Sequence, residues 1–219
     1  MSAIDDKRGQ LPFLGDPVDE GAGSGELDLG DGRGRARDYQ NGSIYFTPQT
    51  GAHEIHGAIR VKWAQLGGHR SFLGYPTTDE TGCPDGRGRF NHFEHGSIYW
   101  SPPTGAHEVH GAIRERWAQL GFERSRLRYP TSDEQDMTGG RISRFQGGLI
   151  PWTPSGGDHP VFDGVIDANP SPPRTASREV RRGHSVMLEG QHRNVVARTQ
   201  DTRLEDTGAD TQHTAKRRV

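Results

Sequence analysis

The sequence predicts an α+β repeat array of about three β-hairpin units, two of them with a short packed helix, in a propeller-like arrangement or an open arc. The first observation is a tandem repeat, because residues 32–80 and 86–134 share 32 identities in 49 aligned pairs. The second is composition: only 30% of the residues are hydrophobic, and 31 are glycine. Such a chain suits small units that each bury a little surface against their neighbours.

Residues 1–30 are predicted to hold the end of one unit and the start of the next. The segment LPFLGDPVDE at 11–20 matches SFLGYPTTDE at 71–80 and, more loosely, SRLRYPTSDE at 125–134. Proline fixes its own φ and favours extended geometry in the residue before it, while glycine adopts conformations that other residues resist. Each of these segments therefore predicts a turn.

A β-hairpin is predicted in each copy. In the second copy, residues 89–94 form one strand and 97–100 the other, with His95-Gly96 at the turn. Asn41-Gly42 in the first copy is a strong signal for a two-residue hairpin turn, whose central positions need positive φ.

The two faces of each hairpin carry different residues. Side chains alternate across a strand, so an isoleucine and the aromatic residue two positions later share one face. We predict that this face forms the core and that the opposite face, with Tyr45 and Tyr99, faces solvent or a ligand. The core pairs are Ile44 with Phe46, Ile98 with Trp100, and Ile150 with Trp152.

A short helix is predicted after the hairpin in the first two copies. Ile113, Trp117 and Leu120 fall at i, i+4 and i+7, which is one apolar stripe of a helix. Gly121 stands where a left-handed helix cap is expected. A helix of about ten residues is unstable alone, so the stripe is expected to pack on the hairpin.

The third copy begins well and then decays. Phe145, Gly148 and Trp152 match the second copy at an offset of 52, but no tryptophan-containing helix follows.

The three copies together predict one repeat domain over residues 1–167. The units at both ends of the array are incomplete, so their surfaces need to be capped. A homo-oligomer that joins the two ends is one way to cap them. The predicted units are about 11–69, 70–123 and 124–166.

Composition shifts beyond Asn169. Residues 168–219 are predicted to be a proline-containing linker and a disordered polar tail, because they lack the apolar residues that a core needs.

Charge is distributed unevenly along the chain. Residues 174–219 hold ten basic and six acidic residues, whereas residues 1–173 hold 17 basic and 23 acidic residues. This acidic body argues against a nucleic-acid-binding protein. The chain has no run of 18 apolar residues that would predict a membrane span, and its N-terminal residues do not predict an export signal.

The repeated His-Glu-x-His segments raise the question of metal chemistry. Zinc proteases use HExxH on a helix, where the two histidines lie one turn apart. Here the spacing is one residue shorter and the segment is extended, so His107 and His110 point to opposite faces. Cys83 is the only cysteine, which leaves no thiolate site. We predict no metal and no cofactor, with a site shared by histidines of adjacent units as the alternative.

An acidic pair also recurs, as Asp19-Glu20, Asp79-Glu80 and Asp133-Glu134. Neighbouring carboxylates in one turn point apart, and an enzyme needs one site rather than three near-copies, so we predict no catalytic role. Capping of a turn and contact with a sugar both remain open.

Tyr45 and Tyr99 are candidates for sugar contact, because the C–H faces of sugars stack on flat aromatic rings. Nearby polar side chains would then bind the hydroxyls. The alternative is a half-buried tyrosine that packs on the next unit. The candidate polar partners are His53, His107, Asp79 and Asp133.

Together these motifs resemble the LGFP repeat, which is named for a Leu-Gly-Phe-Pro turn. The likeness covers roughly residues 11–166. LGFP repeats are typical of cell-envelope proteins of actinobacteria, where they accompany peptidoglycan hydrolases or mycolyl transferases, and related fungal arrays resemble sugar-binding lectins. The resemblance implies a module that binds cell-wall polysaccharide or another glycan, at the wall or outside the cell. The turns read Leu73-Gly74-Tyr75-Pro76, Leu14-Gly15-Asp16-Pro17 and the degenerate Leu127-Arg128-Tyr129-Pro130.

Three functions are open on the sequence alone. The first is a non-catalytic module that binds polysaccharide through the outward hairpin faces. The second is an intracellular scaffold for protein–protein interaction on the same surface, which the lack of an export signal leaves open. The third is a metal-dependent hydrolase that uses the repeated histidines.

Overall fold

A computed structural model of the protein describes residues 1–18 and 25–162. Within them lie three antiparallel sheets and three helices, arranged as three consecutive repeat units, which confirms the predicted α+β repeat array. None of these three sheets closes into a barrel. Two sequence predictions fall outside the described residues: the linker and tail at 168–219, and the acidic pair Asp19-Glu20.

A helix that the repeat pattern does not predict, α1 (Ala3–Gln10), precedes the first sheet. Ser2 caps it in a capping box, in which the Ser2 hydroxyl accepts from the Asp5 N–H and the Asp5 carboxylate accepts from the Ser2 N–H. Ile4 is fully buried in a cluster with residues of the first sheet. This helix therefore covers the first sheet as the helix of a preceding unit would.

The first two units share one design, a four-stranded antiparallel sheet followed by a helix. The strands pair in sequence order in both sheets. The first unit contains β1 (Leu27–Asp28), β2 (Arg35–Tyr39), β3 (Gly42–Thr47), β4 (Gly51–His56) and α2 (Gly57–Gln65). The second contains β5 (Thr81–Gly82), β6 (Arg89–Phe93), β7 (Gly96–Ser101), β8 (Gly105–His110) and α3 (Gly111–Leu120).

The third unit is a five-stranded sheet, and no helix follows it within the described residues. Four of its strands lie in the order β12-β11-β10-β9, and β13 also pairs with β11. The predicted lack of a helix after this sheet concerns residues that lie outside the described ones. Within them, the strand equivalent to β8 is interrupted and appears as two short strands. These strands are β9 (Gln135–Met137), β10 (Gly140–Phe145), β11 (Gly148–Thr153), β12 (Gly157–Asp158) and β13 (Val161–Phe162).

Helices α2 and α3 each lie between two sheets and so join successive units. Helix α2 packs on β4 of its own unit and on β7 and β8 of the next, while α3 packs on β8 and β11. Trp63 and Trp117 are buried at the centres of these contacts, as predicted. Trp63 stacks on Phe93, 5.7 Å away between ring centroids, and Trp117 contacts Phe145 at 5.2 Å.

Both faces of the second sheet are buried, which corrects one prediction. Ile98 packs among the residues that surround Trp63, so its face is a core face as predicted. Tyr99 on the opposite face is only 2% exposed and lies edge-on to Trp117, 4.6 Å away between centroids. The prediction that Tyr99 faces solvent or a ligand is wrong, because the helix of its own unit folds back over that face.

The hairpin turns lie one residue earlier than predicted. Tyr39 pairs with Gly42 and Phe93 pairs with Gly96, so the turns are Gln40-Asn41 and Glu94-His95. A Cβ on Gly96 would lie 2.5 Å from the Leu73 side chain, which leaves no room for one. Close packing rather than positive φ requires this glycine.

The Leu-Gly-x-Pro turns anchor each unit to the edge of a sheet. Their leucines are fully buried, and Pro76 and Pro130 form isolated β-bridges with Phe93 and Phe145. Arg128 replaces glycine in the third turn and still has a φ of 58°. This left-handed conformation costs a non-glycine residue roughly 1 kcal/mol, so Arg128 is held there by its surroundings.

Candidate functional site

The first repeated polar cluster is built around Asp79. Its carboxylate accepts from the Glu54 backbone N–H (3.1 Å) and from Lys7 of α1 (2.9 Å), and it lies 3.3 Å from His53 Nδ1. The other nitrogen of His53 contacts the carbonyl oxygen of Thr50 at 2.8 Å. Asp79 therefore ties α1 to β4, and it lies 72 residues after Lys7 in the sequence.

The same cluster recurs around Asp133. Lys62 of α2 donates to it at 2.8 Å, the Glu108 backbone N–H donates at 3.2 Å, and His107 Nδ1 lies 3.2 Å away. Burial alone would raise the pKa of Asp133, but the hydrogen bonds from His107 and Lys62 outweigh it and lower that pKa to about 2. This carboxylate joins the helix of the first unit, a strand of the second and the start of the third.

A second cluster accounts for the other histidine of each His-Glu-x-His segment. His110 Nδ1 lies 2.7 Å from the carboxylate of Glu108, which is almost fully buried. Glu134 completes the cluster, since its backbone N–H donates to Glu108 at 2.8 Å and its side chain pairs with Arg141 at 2.8 Å. The hydrogen bond with Glu108 raises the pKa of His110. His56, Glu54, Glu80 and Arg89 repeat this arrangement in the first unit.

The predicted polar partners of a sugar are thus occupied by internal contacts. His53, His107, Asp79 and Asp133 each have two or more protein partners that link different segments. His107 lies opposite Tyr99 in the register of β7 and β8, as His53 lies opposite Tyr45 in the first unit, but Tyr99 is in the core. Among residues 1–18 and 25–162, no three His, Cys, Asp or Glu side chains lie close enough to hold a metal ion.

Tyr45 differs from Tyr99 because part of its side chain stays exposed to solvent. It is half-buried against Trp63, 4.7 Å away between ring centroids, and lines a cavity of about 510 Å³. In the second unit the side chain of Phe122 packs against Tyr99 and Trp117. Gly68 occupies the equivalent position in the first unit and leaves that space empty.

A larger cavity, about 790 Å³, opens between the second and third units. We call it the junction groove. Hydrogen-bonding side chains dominate its lining, and the hydroxyl of Tyr129 donates to Asp85 at 2.5 Å on one wall. The residues that matter for its chemistry are Asp85, Ser101, Glu123, Ser125, Tyr129 and Gln146, together with the arginines at 87, 124, 126 and 128.

Glu123 is the buried carboxyl group of the junction groove. It is 5% exposed, and its Oε1 has no hydrogen-bond partner among the described residues. Burial raises the pKa of this carboxyl group. An unpartnered buried acceptor is costly, so a donor from a ligand or from water would stabilise it.

The equivalent junction between the first and second units is closed by an ion pair. There Arg33 pairs with Glu94 at 2.5 Å and lies over the ring of Tyr75, 5.3 Å from its centroid. Tyr75 donates to Asp31 at 2.5 Å, as Tyr129 does to Asp85. In the second junction Gln146 replaces Glu94, and Arg87 has no ion pair with a described residue.

Sequence reasoning missed the junction groove, although a signal for it was present. The two copies differ most in charge just after the helix, where GGHRSFLG at 67–74 becomes GFERSRLR at 121–128. This change adds Glu123, Arg126 and Arg128 at positions that are not charged in the first copy. Comparison of the copies for differences, rather than for identities, would have found the site.

The fold and the groove define a tandem-repeat protein whose helix-bearing sheets meet at polar junctions. The chain belongs to the LGFP repeat family, whose family model matches residues 14–71, 73–125 and 127–168. A comparison with curated proteins gave no match. Within the described residues, no helix is both long and apolar enough to cross a membrane.

Proposed function

We propose that the protein is a non-catalytic module that binds polysaccharide in the junction groove. The observation that carries this proposal is the groove itself, an open cavity of about 790 Å³ in which most lining residues have side chains that can form hydrogen bonds. Sugars present many hydroxyl groups, and Ser125, Gln146 and Glu123 offer donors and acceptors for them. The resemblance to wall-associated repeat proteins supports cell-wall polysaccharide as the form of glycan.

The site proposed here differs from the outward hairpin faces expected from the sequence. Tyr99 is buried, and the repeated histidines and aspartates hold the units together. Tyr45 keeps some exposure, but its cavity is lined mainly by apolar groups and by Arg60. Recognition of a glycan needs polar groups around the sugar, and the junction groove supplies more of them.

Catalysis is not part of the proposal. Asp85 accepts from the Tyr129 hydroxyl (2.5 Å) and from the Arg87 backbone N–H (2.9 Å), so its carboxylate holds the wall of the groove in shape. Glycoside hydrolysis needs two carboxyl groups placed across the scissile bond, one of them free to donate a proton. Glu123 alone does not meet that requirement.

Co-sedimentation with delipidated actinobacterial cell wall tests the proposed function. We expect the wild-type chain to bind saturably and to be released by soluble wall polysaccharide. The Gln146→Glu variant should close the groove by pairing with Arg87, as Glu94 pairs with Arg33, and should weaken binding by about ten-fold or more.

The first junction supplies the matched control for this experiment. Glu94→Gln makes the opposite exchange at the equivalent position and leaves the junction groove intact, so it should bind the wall at least as tightly as wild type. Wild-type protein that stays in the supernatant across salt and pH contradicts the proposed function. Full binding by Gln146→Glu contradicts its location.

A further inference from the structure

Within the described residues, the four arginines of the junction groove lack the carboxylate partners that six other arginines have. Arg87, Arg124, Arg126 and Arg128 are exposed and form no ion pair with a described residue. Arg126 lies over the ring of Phe162, 4.9 Å from its centroid, and that contact leaves its charge uncompensated. By contrast, six arginines elsewhere are paired with carboxylates: Arg33, Arg35, Arg37, Arg60, Arg89 and Arg141.

These unpaired arginines give the groove an excess of positive charge, whereas the repeat region as a whole is acidic. Residues 1–173 hold 17 basic and 23 acidic residues, whereas the groove carries four arginines against Asp85 and Glu123. Clefts lined by one sign of charge concentrate ligands of the opposite sign. Guanidinium groups also bind carboxylate and phosphate through paired hydrogen bonds.

We propose that the junction groove selects acidic polysaccharides, whose carboxylate or phosphate groups pair with Arg87, Arg124, Arg126 and Arg128. This inference rests on the proposed function and names the chemical class of its ligand. Arg87 contributes from the wall that carries Asp85, and the other three contribute from the segment after α3. The sugar hydroxyls are left for Glu123, Ser125 and Gln146.

Differences between the two equivalent junctions explain why only the second would bind this ligand. Arg33 is neutralised by Glu94 in the first junction, and Phe72 and Gly74 stand where Arg126 and Arg128 stand in the second. Arg70 is bonded there to the carbonyl oxygen of Leu29 at 2.9 Å. The first junction therefore offers no cluster of unpaired guanidinium groups among its described residues.

Titration of the full chain with polygalacturonate and with its methyl ester tests the inference, because the two polymers share one backbone and differ in charge. We expect the acid to bind about ten-fold more tightly than the ester, and this preference to shrink when ionic strength rises from about 0.15 M to about 1 M. Arg87→Gln/Arg124→Gln should lose the preference. Arg33→Gln/Arg70→Gln, the equivalent pair in the first junction, should retain it.

The outcomes separate this inference from the proposed function. If ester and acid bind equally, the acidic class is overturned while polysaccharide binding stands. If neither binds but cell wall still does, the inference falls and the proposed function survives. Inorganic polyphosphate bound as tightly as polygalacturonate would show recognition of charge without sugar, which also overturns the inference. If the chain binds neither polygalacturonate nor cell wall, both proposals fail.

Discussion

Replacing Trp117 by alanine is expected to lower the free energy of unfolding by about 3–5 kcal/mol. The side chain is fully buried between the second and third sheets, 4.6 Å from Tyr99 and 5.2 Å from Phe145 between ring centroids. Its removal leaves a cavity at the contact that joins two units. Urea denaturation followed by far-ultraviolet circular dichroism measures the change without relying on tryptophan fluorescence.

Glu115→Ala on the exposed face of the same helix is the matched control for Trp117→Ala. It touches no core residue, so its effect should stay within about 0.5 kcal/mol. A loss below about 1 kcal/mol for Trp117→Ala would show that α3 does not join the two sheets as described.

Replacing Asp133 by alanine is expected to lower the free energy of unfolding by about 2 kcal/mol. Lys62, His107 and the Glu108 backbone N–H all lose an acceptor at once. Asp136→Ala is the control, because Asp136 is 88% exposed in its ion pair with Arg141 and such pairs contribute little. Equal, small effects of the two substitutions would contradict the role given to Asp133.

The effect of Asp133→Ala should also depend on pH. The pKa of Asp133 is about 2 in the folded chain, below its value of about 4 in an unfolded one. A lowered folded pKa contributes stability that is present above the unfolded pKa and is lost as pH falls through the folded one. Denaturation at pH values from about 6 down to about 2 should therefore show the gap between wild type and variant narrowing.

The repeat and its elements could be predicted from the sequence because their signals are local or periodic. Ile113, Trp117 and Leu120 mark one face of a helix within ten residues, and α3 is found there. Gly121 caps it with a φ of 104°, as the position of the glycine predicts.

The burial of Tyr99 could not be predicted from alternation within its strand. Alternation shows which residues share a face, but it does not show whether a helix covers the other face. Here α3 returns over the sheet and Trp117 packs on Tyr99. The strand is consequently buried on both sides, as in a layered fold, although its sequence alternates.

The partners of Asp79 and Asp133 could not be predicted from the sequence either. Lys7 and Lys62 lie more than 70 residues away from them in the chain. Each lysine comes from the helix that precedes the sheet, so the contact exists only because successive units stack. Turn capping, which the sequence suggested for these aspartates, involves only neighbouring residues and so could not predict contacts between units.

Mapping of backbone amide chemical shifts tests the proposed binding of polysaccharide in the junction groove. The isotope-labelled chain would be titrated with soluble oligosaccharides released from the same actinobacterial wall. We expect the largest shifts on Asp85, Arg87, Ser125 and Gly147. Shifts centred instead on Tyr45 and Val61, or no saturable shift anywhere, would contradict it.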